Sequence, residues 1–318
     1  MRTAYLDRPG MRIEFENGTI VLRAPDGQRL GTLPGKNLER LILQGEMLCS
    51  TGAVRHLLEQ GASVLWLSAR RSHAVAQLHG GLHAHAQIRL QQYRRYHDTA
   101  FRVRIAQRIL RAKLQSQQRQ VEEWLRRERS QRRVLIQAQE SCTQGLDSLA
   151  SAASIDALMG VEGRVAHSYF QALFTQVPPA VSSEVRSRRP PRDPINVLLS
   201  LGYTLAHHEA VAAAYAVGLD PYIGFLHEIA AGRESVACDL TEFLRQMVDG
   251  WVVTLLQEET LRKEHFSREN DGSCLLGKAG RAHFYRAWAR IAPTLRRLAR
   301  RYARWMVASM QEYGEPAA

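Results

Sequence analysis

The sequence predicts an α+β, two-domain protein, with a small β-rich N-terminal domain over residues 1–85 and a larger all-α domain over 86–318. Three observations carry that expectation. Apolar and polar residues alternate around Asn17-Gly18 and Asp26-Gly27, both strong short-range hairpin signals. From about Gln87 the apolar spacing changes to a helical period. Between the two regimes, the paired glycines of HGGLHAH, His79 to His85, interrupt both patterns and mark a boundary.

Taken in order, MRIEFENGTIVL supplies two strands about Asn17-Gly18, and Asp26-Gly27 repeats the device between IVLRAP and QRLGTL. RLILQ (Arg40–Gln44) and SVLWLS (Ser63–Ser68) read as further strands, and Thr51 to Gln60 as a short helix capped by Thr51. No polar cluster in this region suggests chemistry, so it reads as a scaffold or dimerisation surface. Beyond it, Ile88, Tyr93, Tyr96, Phe101, Ile105 and Ile109 form one helical stripe with arginines elsewhere. SIDALMGVEGRVAHSYFQAL is a helix starting near Ser154. Asp193-Pro194 opens another, with an acceptor at the cap and proline in the first turn, and it stops at Gly218. Arg281 to Tyr313 closes the chain as a helical stretch with a kink at Pro293. There is no internal repeat with a period of about 20–50 residues.

A length of 318 residues and 45% apolar composition describe a chain able to bury a real core. No run approaches the roughly 20 uncharged apolar residues of a membrane span, and MRTAYLDRPG has no apolar signal region, so export is not expected. Cys49, Cys142, Cys238 and Cys274 are isolated, which fits reduced thiols in the cytoplasm better than a disulfide framework or zinc ribbon. The net charge is +12, and 39 of the 43 basic residues are arginine, whose planar fork suits phosphate. Gln87 to Gln139 holds 14 basic residues against four acidic ones (Asp98, Glu122, Glu123, Glu128). Arg281 to Arg304 holds eight arginines and no acid, and RSRRPPR spans Arg186 to Arg192. Such blocks point to a polyanion, nucleic acid first, or else to a solvated basic helix face.

Glu162 falls on the apolar stripe of its helix, flanked by Gly160 and Gly163. A buried lone carboxylate needs a cation, a metal or a proton, and glycines there would admit a close backbone or ligand. A buried Glu–Arg pair is the other reading. Asp239 and Glu242, spaced i, i+3 in GRESVACDLTEFLRQ behind Ser235 as a cap, share a helix face that either binds a cation or is simply solvated. His227 ends the turn-rich run LDPYIGFLH and is either a packed histidine or a ligand; His207-His208-Glu209 competes with it. One imidazole and two or three carboxylates make an N/O set for Mn²⁺ or Mg²⁺. Arg233 and Arg245 flank the acidic helix, either to contact phosphate or to neutralise Asp239 and Glu242.

GVEG around Glu162, DPINVLLSLGYTL, GLDPYIGFLH and GRESVACDLTEFLR occur in the order and rough spacing of one family. Over nearly its whole length the chain resembles the universal adaptation integrase of CRISPR systems, a metal-dependent DNA endonuclease. The resemblance implies Glu162, His227 and Glu242 as ligands of Mg²⁺ or Mn²⁺, and Asp239 as a further functional acid, either a ligand or one step behind one. It implies insertion of short foreign DNA fragments as new spacers, by 3′-hydroxyl attack on repeat phosphodiesters. It further implies double-stranded DNA as the partner, a homodimer through the β-rich domain, and a small second adaptation protein bridging dimers. Val236, Ala237 and Thr241 stand where that family is often more apolar, which touches packing and not the ligands. The same residues would also serve a general metal nuclease on branched or repair DNA. A non-catalytic, basic DNA-bridging protein would need none of them.

Overall fold

The chain divides into two units, Met1–Ala84 and His85–Ala318; a computed structural model describes residues 2–33, 38–68, 74–80, 86–127 and 131–312. Residues 81–85 of the expected boundary stretch, and Glu128 and Tyr313, lie outside the described residues.

In the N-terminal unit β1 (Arg2–Leu6) precedes β2 (Arg12–Glu16) and β3 (Thr19–Arg23). Asn17 and Gly18 take left-handed φ angles of 47° and 78°, as a tight two-residue hairpin turn demands. They bring β2 and β3 into antiparallel register from Arg12↔Arg23 to Glu16↔Thr19. Asp26-Gly27 turns β3 into β4 (Arg29–Leu33), again antiparallel. Then follow β5 (Leu38–Gln44), β6 (Leu48–Cys49), α1 (Thr51–Glu59), β7 (Ser63–Leu67) and β8 (Ala74–Leu78). One sheet has the order β4-β3-β2-β6; the other, β1-β5-β7-β8, is parallel except for β8. Ile13, Ile20, Leu41, Leu43, Leu57 and Val64 share one core between strands and α1. The α1 cap is Ser50 and not Thr51, because the Ser50 side chain accepts the Ala53 N–H.

The second unit is mostly helical: α2 (Ala86–His97), α3 (Thr99–Arg127), α4 (Arg132–Ser151), α5 (Ile155–Phe174), α6 (Pro194–Val217), α7 (Ser235–Glu242), α8 (Arg245–Gln257) and α9 (Lys278–Glu312). Its departure from the all-α expectation is a short ribbon, β9 (Phe266–Arg268) paired antiparallel with β10 (Cys274–Leu276). Gly272, at φ 78°, makes its turn as the third Asp-Gly step of the chain. Asp193 caps α6 by accepting the Asn196 N–H, Pro194 fills the first turn and Gly218 closes it at φ 85°. α9 runs through Pro293 as one helix.

The apolar stripe read across residues 88–109 is two helices, because Asp98 accepts the Phe101 N–H and starts α3 afresh. Phe101, Ile105 and Ile109 are fully buried. In α2 the buried residues are instead Gln92 and Arg95, and Tyr93 is exposed; Arg95 donates to the Met310 carbonyl of α9, and Gln92 grips the segment after α6.

α6 is buried along most of its length, against α7, α8 and α9. One ion pair crosses the α6–α9 contact: Arg296 Nε donates to Glu209 Oε2 at 2.9 Å, with side-chain exposures of 5% and 2%. Removing one member of such a pair strands the other charge, at a cost of about 3–5 kcal/mol. Urea unfolding of Arg296→Met should show a loss in that range, and the Glu209→Leu/Arg296→Met double variant should regain most of it. An unchanged single variant would assign the contact no role in stability.

Candidate active site

Lys113 on α3, Glu162 on α5 and Glu242 at the end of α7 meet at one point. Lys113 Nζ lies 2.5 Å from Glu162 Oε1 and 2.5 Å from Glu242 Oε2. The second Glu242 oxygen, Oε1, accepts from Arg245 Nε at 2.8 Å, and the Arg245 guanidinium lies 4.6 Å from the centre of the Tyr203 ring. Burial opposes ionisation of Glu242, but Arg245, Lys113 and His227 outweigh it and hold the carboxyl well below the usual range. A Cβ on Gly163 would meet nothing within 4 Å, and one on Gly160 would meet only the Arg164 guanidinium at 3.9 Å, so this part of α5 packs no residue tightly against its glycines.

His227 is carried on the irregular segment between α6 and α7. Asp239, fully buried on α7, organises that segment. Its Oδ2 accepts the Phe225 and Leu226 N–H groups at 2.6 and 3.1 Å, and its Oδ1 accepts the His227 N–H at 2.9 Å. Oδ1 also meets His227 Nδ1 at 2.8 Å. A carboxylate can only accept, so Nδ1 carries a proton, and in the neutral ring Nε2 is the nitrogen left with a lone pair. Burial pushes the imidazole pKa down, but the Asp239 hydrogen bond and the charges of Asp239 and Glu242 win, and the net shift is upward.

The same segment is clamped from the other side. Gln92 donates to the Asp220 and Ile223 carbonyls and accepts the Asp220 N–H, and Arg102 donates to the Phe225 carbonyl. Gly224 is obligatory here, because a Cβ would lie 2.7 Å from the Ser235 carbonyl carbon. Ser235 is the first residue of α7 and not its cap; its hydroxyl donates to the Glu228 carbonyl.

The pocket in front of this cluster is lined by Lys113, Glu162, His227 and Glu242, and also by Arg188, Tyr203 and Asp249. Asp249 accepts hydrogen bonds from the Tyr203 and Tyr169 hydroxyls. Burial pushes its carboxyl up to about 6, against the lowering effect of the Tyr203 bond and Arg245. This group therefore binds its proton more tightly folded than unfolded. The folded form is favoured while both states are protonated, and that advantage is lost as pH rises from about 4 to about 6. Two units correspond to roughly 3 kcal/mol. Urea midpoints collected between pH 4 and 7 should show this slope for the natural chain and its disappearance in Asp249→Asn. Parallel curves for the two proteins would contradict the assignment.

Of the residues expected from sequence, Glu162, His227 and Glu242 line one pocket. Asp239 stands behind His227 with no exposure. Arg245 is spent on Glu242, whereas Arg233 is exposed and its hydrogen bond goes to the Glu228 carbonyl. His207 belongs to a different contact, at 2.7 Å from Glu234. Arg188 comes from the RSRRPPR block read as polyanion-binding, whereas Lys113, Tyr203 and Asp249 were not anticipated as pocket residues. Lys113 had a readable signal, since it continues the Ile105 and Ile109 spacing and so puts a charge on a buried stripe.

Among the described residues, no group of three or more His, Cys, Asp or Glu side chains is drawn closely enough together to hold a metal ion as it stands. The donor chemistry still suits one. Two carboxylate oxygens converge on a single cation, Glu242 Oε2 is buried without a hydrogen bond, and the His227 tautomer leaves Nε2 for a ligand.

A CAS1 protein from Thermotoga maritima superimposes with a TM-score of 0.86 at 22% identity, over 100% of this chain and 99% of that one. A casposase bound to integration product gives 0.83 at 20% identity, over 100% and 95%. The fold is thus the one shared by these proteins. In sequence, the CRISPR-associated endonuclease Cas1 1 of Thermodesulfovibrio yellowstonii is 33% identical over 291 residues, 90% of this chain and 89% of that protein. The family model for CRISPR associated protein Cas1 matches residues 4–290. The chain belongs to the Cas1 family.

Proposed function

We propose that this chain is a metal-dependent DNA endonuclease and integrase, which inserts short foreign DNA fragments into a CRISPR array as new spacers by 3′-hydroxyl attack on repeat phosphodiesters. The observation that carries this reading is the convergence of Glu162 and Glu242 on one cation, beside an imidazole held by Asp239. Relatives named endonucleases and a casposase on its integration product support it. Glu162, His227 and Glu242 would hold Mg²⁺ or Mn²⁺. A bound ion would supply Lewis-acid polarisation of a phosphoryl oxygen and charge stabilisation for the leaving oxyanion.

The protein's own groups do the rest. Asp239 fixes the His227 tautomer and ring direction, and Arg245 fixes one Glu242 oxygen while the other meets Lys113. Arg188, exposed at the pocket and part of the RSRRPPR block, is placed to meet a phosphate. Exposed Arg104, Arg108, Arg111 and Arg119 on α3, and Arg286, Arg290, Arg297, Arg300, Arg301 and Arg304 on α9, offer salt-sensitive, sequence-independent contacts to the DNA backbone. No side chain in the pocket serves as a nucleophile: burial holds the Tyr169 and Tyr203 phenols well above their usual pKa, and raises nearby Cys238 to about 11. The attacking group is therefore a DNA hydroxyl or water.

Residues 1–85 would dimerise and 86–318 would carry catalysis, in the cytoplasm, with a small second adaptation protein bridging two dimers. Among the described residues no helix is long and apolar enough to cross a membrane. The deciding experiment incubates the chain and its adaptation partner with a short 3′-hydroxyl duplex and a repeat-containing target, with Mg²⁺, Mn²⁺ or EDTA. Metal-dependent strand joining at the repeat is expected. Cleavage without joining would identify a general nuclease instead, and joining in EDTA would overturn the metal assignment.

A further inference from the structure

We propose that Lys113 is a resident counter-cation, which holds Glu162 and Glu242 together in the metal-free protein and leaves when a divalent ion takes them; this rests on the metal reading above. The two carboxylates belong to different helices, and the Glu242 side chain is only 5% exposed. Side by side without a cation they would repel and bear a large desolvation cost. The Lys113 ammonium, itself 9% exposed, satisfies both at 2.5 Å. It does so at Glu162 Oε1 and Glu242 Oε2. Glu242 Oε1 is already held by Arg245. A divalent ion sits at about 2.0–2.2 Å from such oxygens, so ammonium and metal compete for one position.

The residue type fits exchange better than permanent bracing. The chain uses arginine for 39 of its 43 basic residues, and Lys113 is the lone lysine between Gln87 and Gln139. A guanidinium would grip a carboxylate through two parallel bonds, whereas an ammonium is a point charge on a flexible stem. Glu242 Oε2 has no partner of hydrogen-bond geometry. Its attraction to Lys113 is chiefly ionic, the kind another cation replaces directly. Metal-free protein is in this way kept assembled with its ligands paired, and an incoming ion must outcompete an internal one.

Two measurements on the full chain test this, neither of them an activity. Amine acylation read by mass spectrometry is simple here because lysine occurs only four times. Lys113 should be protected without metal and labelled with saturating Mn²⁺, while exposed Lys263 and Lys278 stay constant. Calorimetric titration with Mn²⁺ should show at least tenfold tighter binding to Lys113→Met than to the natural chain. If Mn²⁺ binds the natural chain while Lys113 stays protected and the variant binds no more tightly, Lys113 is a fixed brace and the exchange is wrong, with the metal site intact. If Mn²⁺ binds neither protein, the metal reading falls and the exchange with it. Should Lys113→Met not fold, the labelling result decides alone.

Discussion

Glu242→Ala, Glu162→Ala and His227→Ala should each reduce DNA cleavage and strand joining at least about a thousandfold while leaving duplex affinity nearly unchanged. The two halves of that expectation have separate origins. A metal held there would contribute several kcal/mol to transition-state stabilisation, and each 1.36 kcal/mol is a factor of ten. On the proposed reading, affinity would come instead from arginines spread over α3 and α9, six of them exposed between Arg286 and Arg304, so one pocket residue would contribute little to it. Cleavage of end-labelled duplex with Mn²⁺, beside gel-shift titrations at fixed salt, measures both. Metal-dependent turnover surviving in all three variants would rule out the pocket as the catalytic centre, and a natural chain that binds duplex without cutting or joining it would be a DNA-bridging protein.

Asp239→Ala should be the most damaging change among residues that do not face the pocket. It removes the acceptor for three backbone N–H groups and for His227 Nδ1. Buried donors left unpaired cost about 1–3 kcal/mol each and do not add fully, so a stability loss of roughly 3–5 kcal/mol is expected. Freed from Asp239, the imidazole should also lose direction and activity should fall by about 10–100-fold or more. Asp239→Asn separates the two effects, because its one remaining oxygen still accepts part of the set. In that variant the His227 pKa, followed by NMR, should move down, since the charge that raises it is gone. An unmoved His227 titration with normal activity would show that Asp239 only supports the fold.

The hairpins at Asn17-Gly18 and Asp26-Gly27, the cap-and-proline start of α6 and its glycine stop were all legible in the sequence because each is a local rule. Left-handed turns need Asn or Gly, and an N-cap needs a short acceptor. β1, β6 and β8 were not legible; they are short and paired with segments far along the chain, and no local period marks them. The break at Asp98 was missed for a related reason. An apolar stripe can cross it unbroken on paper, while the chain starts a new helix there and buries Gln92 and Arg95 on the far side.

The sequence by itself determined the family, the succession of a β-rich and a helical region and the residues proposed to carry the chemistry, since GVEG, GFLH and DLTE are local spellings of a glutamate, a histidine and an acidic pair. Only the tertiary structure decided how they act. It placed Asp239 behind His227, spent Arg245 on Glu242, brought Arg188, Tyr203 and Asp249 to the same pocket, and set Lys113 between two carboxylates 49 and 129 positions away. A charge on an apolar stripe announces that a partner exists. Which partner it meets depends on how helices far apart in the chain pack, and a sequence period carries no information about that.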